Sequence, residues 1–264
     1  MLNGQNSPAR MLAPERRAHI LGMLRGGTTL LISDVARELG VSTVTARGDF
    51  DYLESEGYLH RIHGGAVPVE DYAASLVASR KKAHLREKRA IGVAAAKLVG
   101  DGETILVGGG TTTLELVRAL GDRANATVVT NDCRIIEFGT RECPALTMAS
   151  TGGVLSRERV CFYGQMLEAS IVDMLFDKVF IGADCFNPEF GFLTELEESS
   201  RVKGVFLAHA RTKVILMDSS KVGEGRSYTR FAKPNDVDMV FVDVDPGGAV
   251  AASTSARVVE CCRL

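Results

Sequence analysis

Val107-Gly108-Gly109-Gly110-Thr111-Thr112-Thr113 is a stretch of this sequence suited to holding an anion. It follows an apolar run and opens an amphipathic one. Backbone N–H groups and the positive end of a helix would therefore converge on Gly109, Gly110, Thr111, Thr112 and Thr113, where a phosphate would suit them. The plainer alternative is a tight turn with no ligand. No Lys follows the last glycine, so this is not a Walker A loop, and Thr113 stands where G-x-G-x-x-G needs its third glycine.

Further polar groups follow other apolar runs. Ile181-Gly182-Ala183 leads to Asp184, Lys203 falls in the next helical stretch, and Asp218-Ser219-Ser220 leads to Lys221. Thr130-Asn131 and Thr151-Gly152-Gly153 add hydroxyl, amide and N–H groups. In open α/β sheets the carboxyl ends of the strands bind ligands, so these residues together describe a sugar-phosphate pocket. Taken singly, a capping Asp and solvated surface charges explain them as well. His19, His60, His84 and His209 are scattered and form no catalytic grouping. The six cysteines, Cys133, Cys143, Cys161, Cys185, Cys261 and Cys262, show no C-x-x-C pair, so reduced thiols, no metal and no cofactor are expected.

The elements that must position these groups come in two sets. Near the front, Pro14 opens a helix with Ile20, Leu21 and Leu24 inward, and Gly26-Gly27 stops it. Ser33 is expected to cap a second short helix bearing Val35, Ala36 and Leu39, which Gly40 ends. A third helix is predicted from Thr43 to about Glu56, with Ala46, Phe50 and Leu53 inward and Thr43, Thr45, Arg47 and Gly48 pointing elsewhere. Tyr58 to Val67 then alternates around a Gly64-Gly65 corner as a small β-wing. The order is that of a winged helix-turn-helix, mostly α with a small β-wing, a pattern that serves DNA reading; an ordinary helical hairpin is the alternative.

The second set begins with a helix from about Arg86 to Val99. Strands are then predicted at Thr104 to Val107, Thr127 to Thr130, Ala145 to Met148, Lys178 to Gly182, Val214 to Met217 and Met239 to Val242. Helices are predicted at Thr112 to Leu120, Gln165 to Phe176 and Glu195 to Ala210, and Val258-Val259 suits a last edge strand. This rhythm requires a C-terminal α/β domain with a mostly parallel sheet, since parallel neighbours need crossovers. The expected division is 14–67 for the DNA-binding domain, 68–85 for a linker and 86–260 for an effector-binding and oligomerisation domain.

Charge divides unevenly along the chain. Residues 1 to 89 hold 13 Lys/Arg against 10 Asp/Glu, and residues 90 to 264 hold 18 against 23. The front excess lies almost wholly in Arg80, Lys81, Lys82, Arg86, Lys88 and Arg89, because residues 1 to 67 balance at 7 against 7. A globally basic nucleic-acid binder is excluded. No apolar run approaches the ~18 residues of a membrane span, and Met1 to Pro14 lacks the pattern of a signal peptide, so a cytoplasmic chain with no membrane partner is expected.

Val41-Ser42, Arg47, Asp49, Leu53-Glu54, Gly57, Leu59 and the run Arg61-Ile62-His63-Gly64-Gly65-Ala66 resemble the DeoR family of bacterial sugar-catabolism repressors. Gly110-Thr111-Thr112, Thr130-Asn131, Gly152-Gly153, Gly164, Gly182-Ala183, Gly191, Thr194, Lys203 and Asp218-Ser219-Ser220-Lys221 resemble the same family's effector domain, which is similar in fold to ribose-5-phosphate isomerase. The chain departs from the family's usual residues at Gly108, Ala46, Gly48 and Ser199. The resemblance implies a repressor that binds operator double-stranded DNA and lets go when a phosphorylated sugar binds. Arg47, with Thr43 and Thr45, is then expected at base edges, and Ser42, Arg61 and His63 at phosphates. Gly109, Gly110, Thr111, Thr112, Thr113, Asn131, Gly152, Asp184, Lys203 and Lys221 are expected around the effector. Paired half-sites imply a homo-oligomer, dimer or tetramer. The alternative is a sugar-phosphate isomerase-like enzyme with a fused helical module, drawing a base from Glu195, Glu197 or Glu198.

Overall fold

A computed structural model describes residues 11–24, 29–68, 83–121, 125–156, 158–223, 225 and 227–262. The chain divides into two compact units, 1–79 and 80–264. Gly26-Gly27 and most of the expected linker lie outside the described residues, as do Arg80, Lys81 and Lys82.

In the first unit α1 (Ala13–Leu24), α2 (Ile32–Glu38) and α3 (Thr43–Ser55) pack Ile20, Leu24, Val35, Ala46, Phe50 and Leu53 into one core. Gly40 and Gly57 follow α2 and α3 at positive φ, 61° and 75°. At each end the next N–H reaches back to close the last turn: Val41 N donates to Ala36 O (3.0 Å), and Tyr58 N to Leu53 O (2.9 Å). These two left-handed closures fix the turn between the helices and the entry to the wing. The wing has three strands, β1 (Leu30–Leu31), β2 (Leu59–Ile62) and β3 (Gly65–Pro68), in the order β1-β3-β2.

That first strand corrects the expected cap at Ser33. Leu30 and Leu31 pair with Ala66 and Gly65, and Ile32 N donates to Gly64 O (2.9 Å). The wing thus holds the chain up to Ile32, where α2 opens, and Ser33 falls inside its first turn. The cap position is Leu31, with no side-chain hydrogen bond.

In the second unit α4 (Leu85–Ala96) leads into a parallel sheet. Its strands are β4 (Thr104–Val107), β5 (Thr127–Thr130), β6 (Thr147–Ser150), β9 (Phe176–Gly182), β12 (Ala210–Leu216), β14 (Met239–Val242) and β15 (Arg257–Glu260). Among the described residues the sheet is seven-stranded, in the order β15-β14-β12-β9-β4-β5-β6. Successive side chains of β9 enter opposite cores: Val179 and Ile181 join Phe206 and Ile215, while Phe180 joins Ile105, Val107 and Leu216. Both faces are therefore covered. The chain leaves β4 toward β5 and β6, then returns to the other side of β4 with β9. The crevice beyond the carboxyl ends of β4 and β9 is the switch point where such sheets bind ligands.

Boundaries moved where neighbouring structure overrode local pattern. The helix α7 (Gln165–Ile171) stops short of Phe176, because Phe176 is fully buried as the first residue of β9 and its N–H donates to His209 O (2.8 Å). β6 starts at Thr147 rather than Ala145, in register with Thr127. α8 (Glu197–Ala208) ends two residues before Ala210, which opens β12. Features with no counterpart among the expected elements include α6 (Cys133–Glu142), the hairpin β7 (Val154–Ser156) with β8 (Cys161–Tyr163), and a small antiparallel sheet of β10 (Cys185–Asn187), β11 (Gly191–Thr194) and β13 (Thr229–Ala232). Val258 and Val259 do lie in an edge strand, β15. The remaining helices are α5 (Thr111–Leu120) and α9 (Ala249–Ser253).

Candidate functional site

Two surfaces carry the residues singled out above. On the first unit, Ser42 caps α3: its Oγ accepts from Thr45 N (3.0 Å) and lies 2.9 Å from Thr45 Oγ1. Thr43, Arg47 and Gly48 are exposed beside Val44, so the start of α3 presents a short, open face. His63 is exposed at the wing's corner.

The inward side of α3 holds a carboxylate that sequence pattern did not separate from the signature. Asp49 is 2% exposed and accepts from Arg16 Nε (2.5 Å), Arg16 Nη2 (3.0 Å) and Arg17 Nε (3.1 Å). The hydrogen bond to Asp49 raises the Arg16 guanidinium further above its ordinary value, since the carboxylate stabilises the cation. Arg17 also lies over the Tyr52 ring, 3.6 Å from its centre. This clamp sets α3 on α1, and its signal was legible: position 49 shares the inward face with Ala46 and Leu53, where an acid needs a partner. Arg61, on β2, donates its main-chain N–H to Glu54 Oε1 (2.7 Å), and its guanidinium pairs with Asp51.

On the second unit the switch point gathers the glycine loop. Gly109 N donates to Asn131 Oδ1 (2.9 Å) and Gly110 N to Asp132 Oδ2 (3.1 Å). Two N–H groups expected to face a phosphate are thus engaged by side chains from the end of β5. The backbone of the first turn of α5, at Thr111, Thr112 and Thr113, retains the anion-binding geometry of a helix start, and Thr113 Oγ1 donates to Gly110 O (3.0 Å). A side chain at Gly109 is barred, because its Cβ would lie 2.4 Å from Cys161 Sγ. At Gly108 the closest atom would be 3.5 Å away, so packing does not impose the glycine there.

Asp132 is fully buried and accepts from Arg134 N and Nε, both at 2.9 Å, as well as pairing with Arg134 Nη2. Burial, reinforced by the Asp132 carboxylate, pushes the Cys161 thiol far up, so it is a neutral packing group. Burial likewise raises the Tyr163 phenol, which stands beside Ser199.

Asp184, after β9, accepts from Thr194 Oγ1 (2.6 Å) and Glu195 N (3.4 Å), with Arg159 Nη1 at 4.0 Å. Arg159 Nη2 donates to Glu195 Oε2 (2.7 Å). Lys203 is buried; its Nζ donates to Thr194 Oγ1 (3.4 Å) and lies 4.9 Å from the centre of the Phe231 ring. The β7–β8 hairpin links the glycine loop to this cluster. Phe162 N donates to Asn131 O (2.8 Å), Asn131 Nδ2 donates to Phe162 O (3.0 Å), and Arg159 reaches Asp184 and Glu195.

Gly109, Gly110, Thr111, Thr112, Thr113 and Asn131 therefore meet at one end of this arrangement, and Asp184 and Lys203 at the other. Gly152 lies further out, past edge strand β6, with its N–H donated to Ser150 Oγ (3.1 Å). Lys221 follows β12; burial raises the Cys185 thiol, and the Lys221 charge partly opposes that rise. Arg159, Asp132, Arg134 and Tyr163 were missed, since their elements carry little periodicity. Glu197 and Glu198 are exposed in the first turn of α8. Among the described residues no cluster of three or more His, Cys, Asp or Glu is arranged to hold a metal, and no helix is long and apolar enough to cross a membrane.

The chain matches the family model described as the DeoR-like helix-turn-helix domain over residues 16–71, and that of the DeoR C terminal sensor domain over residues 83–244. It is 30% identical over 232 residues to the putative aga operon transcriptional repressor of Escherichia coli O157:H7, covering 87% of this chain and 86% of that one. The HTH-type transcriptional regulator GlpR of Haloferax volcanii is 30% identical over 235 residues, covering 88% and 91%. The lactose phosphotransferase system repressor of Staphylococcus aureus is 28% identical over 235 residues, covering 88% and 92%. A ribose 5-phosphate isomerase from Methanocaldococcus jannaschii superposes with a TM-score of 0.41 at 18% identity, over 53% of this chain and 56% of that one.

Proposed function

The chain belongs to the DeoR family of transcriptional regulators, and from that premise we propose that it represses a sugar-catabolism operon and leaves its operator when a phosphorylated sugar occupies the switch-point crevice. The observation that carries this reading is the pairing of an open α3 face with a crevice that offers both a helix start and a buried lysine. Relatives named as repressors of an aga operon and of a lactose phosphotransferase system support it.

In this reading Arg47 reaches base edges with Thr43 and Thr45, and Ser42, Arg61 and His63 stand along the phosphates. The sugar's phosphate lies against the helix start at Thr111, Thr112 and Thr113, shaped by Gly109, Gly110 and Asn131. Asp184 accepts from sugar hydroxyls, and Lys203, Lys221 and Gly152 are the further residues we assign to the rim around the effector. The sugar releases DNA by binding the DNA-incompetent arrangement more tightly, since a ligand shifts an equilibrium only by its differential affinity.

We further propose a homo-oligomer acting in the cytoplasm, with residues 14–67 reading DNA, 68–85 linking and 86–260 sensing. The non-catalytic reading is supported by Glu195 being held by Arg159 and by Glu197 and Glu198 facing solvent, so that none of these three is positioned as a base. The test is selection of duplexes by the full chain from a randomised pool, followed by challenge with a panel of sugar phosphates. A selected duplex released by one member of the panel is the expected result. Arg47→Ala should abolish discrimination between selected and scrambled duplexes at fixed salt; retained discrimination would remove α3 as the reading helix.

A further inference from the structure

Residues 1 to 67 carry as many acids as bases, 7 of each, although this unit is the one read as meeting a polyanion. The structure shows where the balance resides. Asp49 holds Arg16 and Arg17, Asp34 holds Arg37, and Asp51 holds Arg61. Among the described residues of this unit, Arg47 is the arginine that stands outside any ion pair.

The Asp51 pair differs from the others in its place. Asp51 follows Arg47 by one helical turn and Thr43 by two, so the three share one stripe of α3. Its side chain is 59% exposed. A carboxylate on that stripe faces whatever Arg47 faces, and it repels phosphate unless a cation covers it. The cation comes from the wing. Arg61 is anchored twice on α3, by its main-chain N–H to Glu54 (2.7 Å) and by its guanidinium to Asp51, and its side chain is only 23% exposed. Its Nε is buried without a hydrogen-bond partner, so the held position leaves one donor unsatisfied.

We propose that Asp51 is a specificity-determining residue of the DNA-reading unit: it withholds wing Arg61 from the duplex backbone, so that a phosphate must displace a carboxylate before the wing engages. The inference rests on the DNA-binding reading above. Exchanging one anion for another contributes little, so Arg61 adds almost nothing to affinity for duplexes of arbitrary sequence. Phosphate reaches it only where Arg47 has seated α3 at full depth. Discrimination rises because non-specific affinity, which is mainly phosphate contact, is held down.

The test is fluorescence anisotropy of the full chain on a scrambled duplex and on a duplex selected by the wild type, each across a range of salt. Asp51→Asn is expected to raise affinity for the scrambled duplex roughly fivefold to tenfold and to steepen the slope of log K against log salt by about 0.9, the value of one added phosphate contact. The selected duplex gains less, so the ratio between the two falls. Arg61→Ala should cost the wild type only a small loss on the scrambled duplex, from the uncovered Asp51 carboxylate, and a larger one in the Asp51→Asn background, where it cancels the gain. Glu168→Gln, which alters net charge equally in the other unit, should leave the slope alone.

An unchanged slope in Asp51→Asn overturns the proposal. So does an equal loss on Arg61→Ala in both backgrounds, because Arg61 would then already meet phosphate, and so does an equal steepening by Glu168→Gln. A wild type that selects no duplex would instead defeat the DNA-binding reading, and this inference with it.

Discussion

A lysine ammonium almost excluded from water is costly unless its surroundings satisfy it, and Lys203 is held by the Thr194 hydroxyl and the face of Phe231. On the proposed reading such a group adds a charge-assisted hydrogen bond to the bound sugar phosphate, because no long side chain remains to be ordered. Lys203→Met keeps the apolar stem and removes the charge. It should leave affinity for a selected duplex intact and raise the sugar-phosphate concentration needed for release by about tenfold or more, the magnitude of one charged hydrogen bond. A release curve that superposes on the wild type's would place the anion elsewhere. Arg47 and Lys203 could be named as candidates from sequence because residue type and spacing along a helix are local properties. Arg159 and Asp132 could not, since each acts through partners distant in sequence, Glu195 for one and the Gly110 N–H for the other.

Elements are governed by their ends, and α2 and α3 show it at two glycines. Gly48 lies inside α3 with nothing within 4 Å of an added Cβ, whereas Gly40 sits at φ +61° beyond α2, also in open space. The same substitution should therefore have opposite signs. Gly48→Ala is expected to stabilise the first unit by up to about 1 kcal/mol through helix propensity. Gly40→Ala should destabilise it by about 1 to 2 kcal/mol, because an L side chain is strained in the left-handed region. Urea unfolding of the full chain, followed by helical signal, distinguishes them, and two shifts of the same sign would refute the conformational account. Helices with strong apolar stripes or glycine stops are readable from sequence pattern alone. α6 is not, for only Ile135 and Gly139 of its ten residues are buried, and its N-cap, Asp132, is recognisable only once Arg134 N is seen to donate to it.

At the scale of the whole molecule, buried acids that stay neutral limit stability toward alkaline pH. Burial is the chief cause that lifts the Cys261 thiol to about 12 from an ordinary 9.0, and it raises Cys161 and Tyr163 in the same direction. The unfolded chain releases these protons first, so the folded state loses stability as pH climbs above about 9, with no contribution from these groups below that point. Thermal unfolding midpoints should hold through neutral pH and fall beyond about 9, and Cys261→Ala should flatten part of that fall. A midpoint indifferent to pH between about 9 and 11 would contradict the burial. Periodicity, glycine stops and the Arg61-to-Ala66 signature determined by themselves that a winged helix-turn-helix precedes a parallel α/β sheet, because those features depend on residues a few positions apart. Tertiary structure alone decided that the loop's glycine N–H groups are already engaged, that the β7–β8 hairpin joins that loop to Asp184 and Glu195 through Arg159, and that the wing arginine rests on Asp51. Each of these joins groups that local pattern leaves unconnected, and a hydrogen bond or ion pair depends on distance in space, which spacing along the chain does not set.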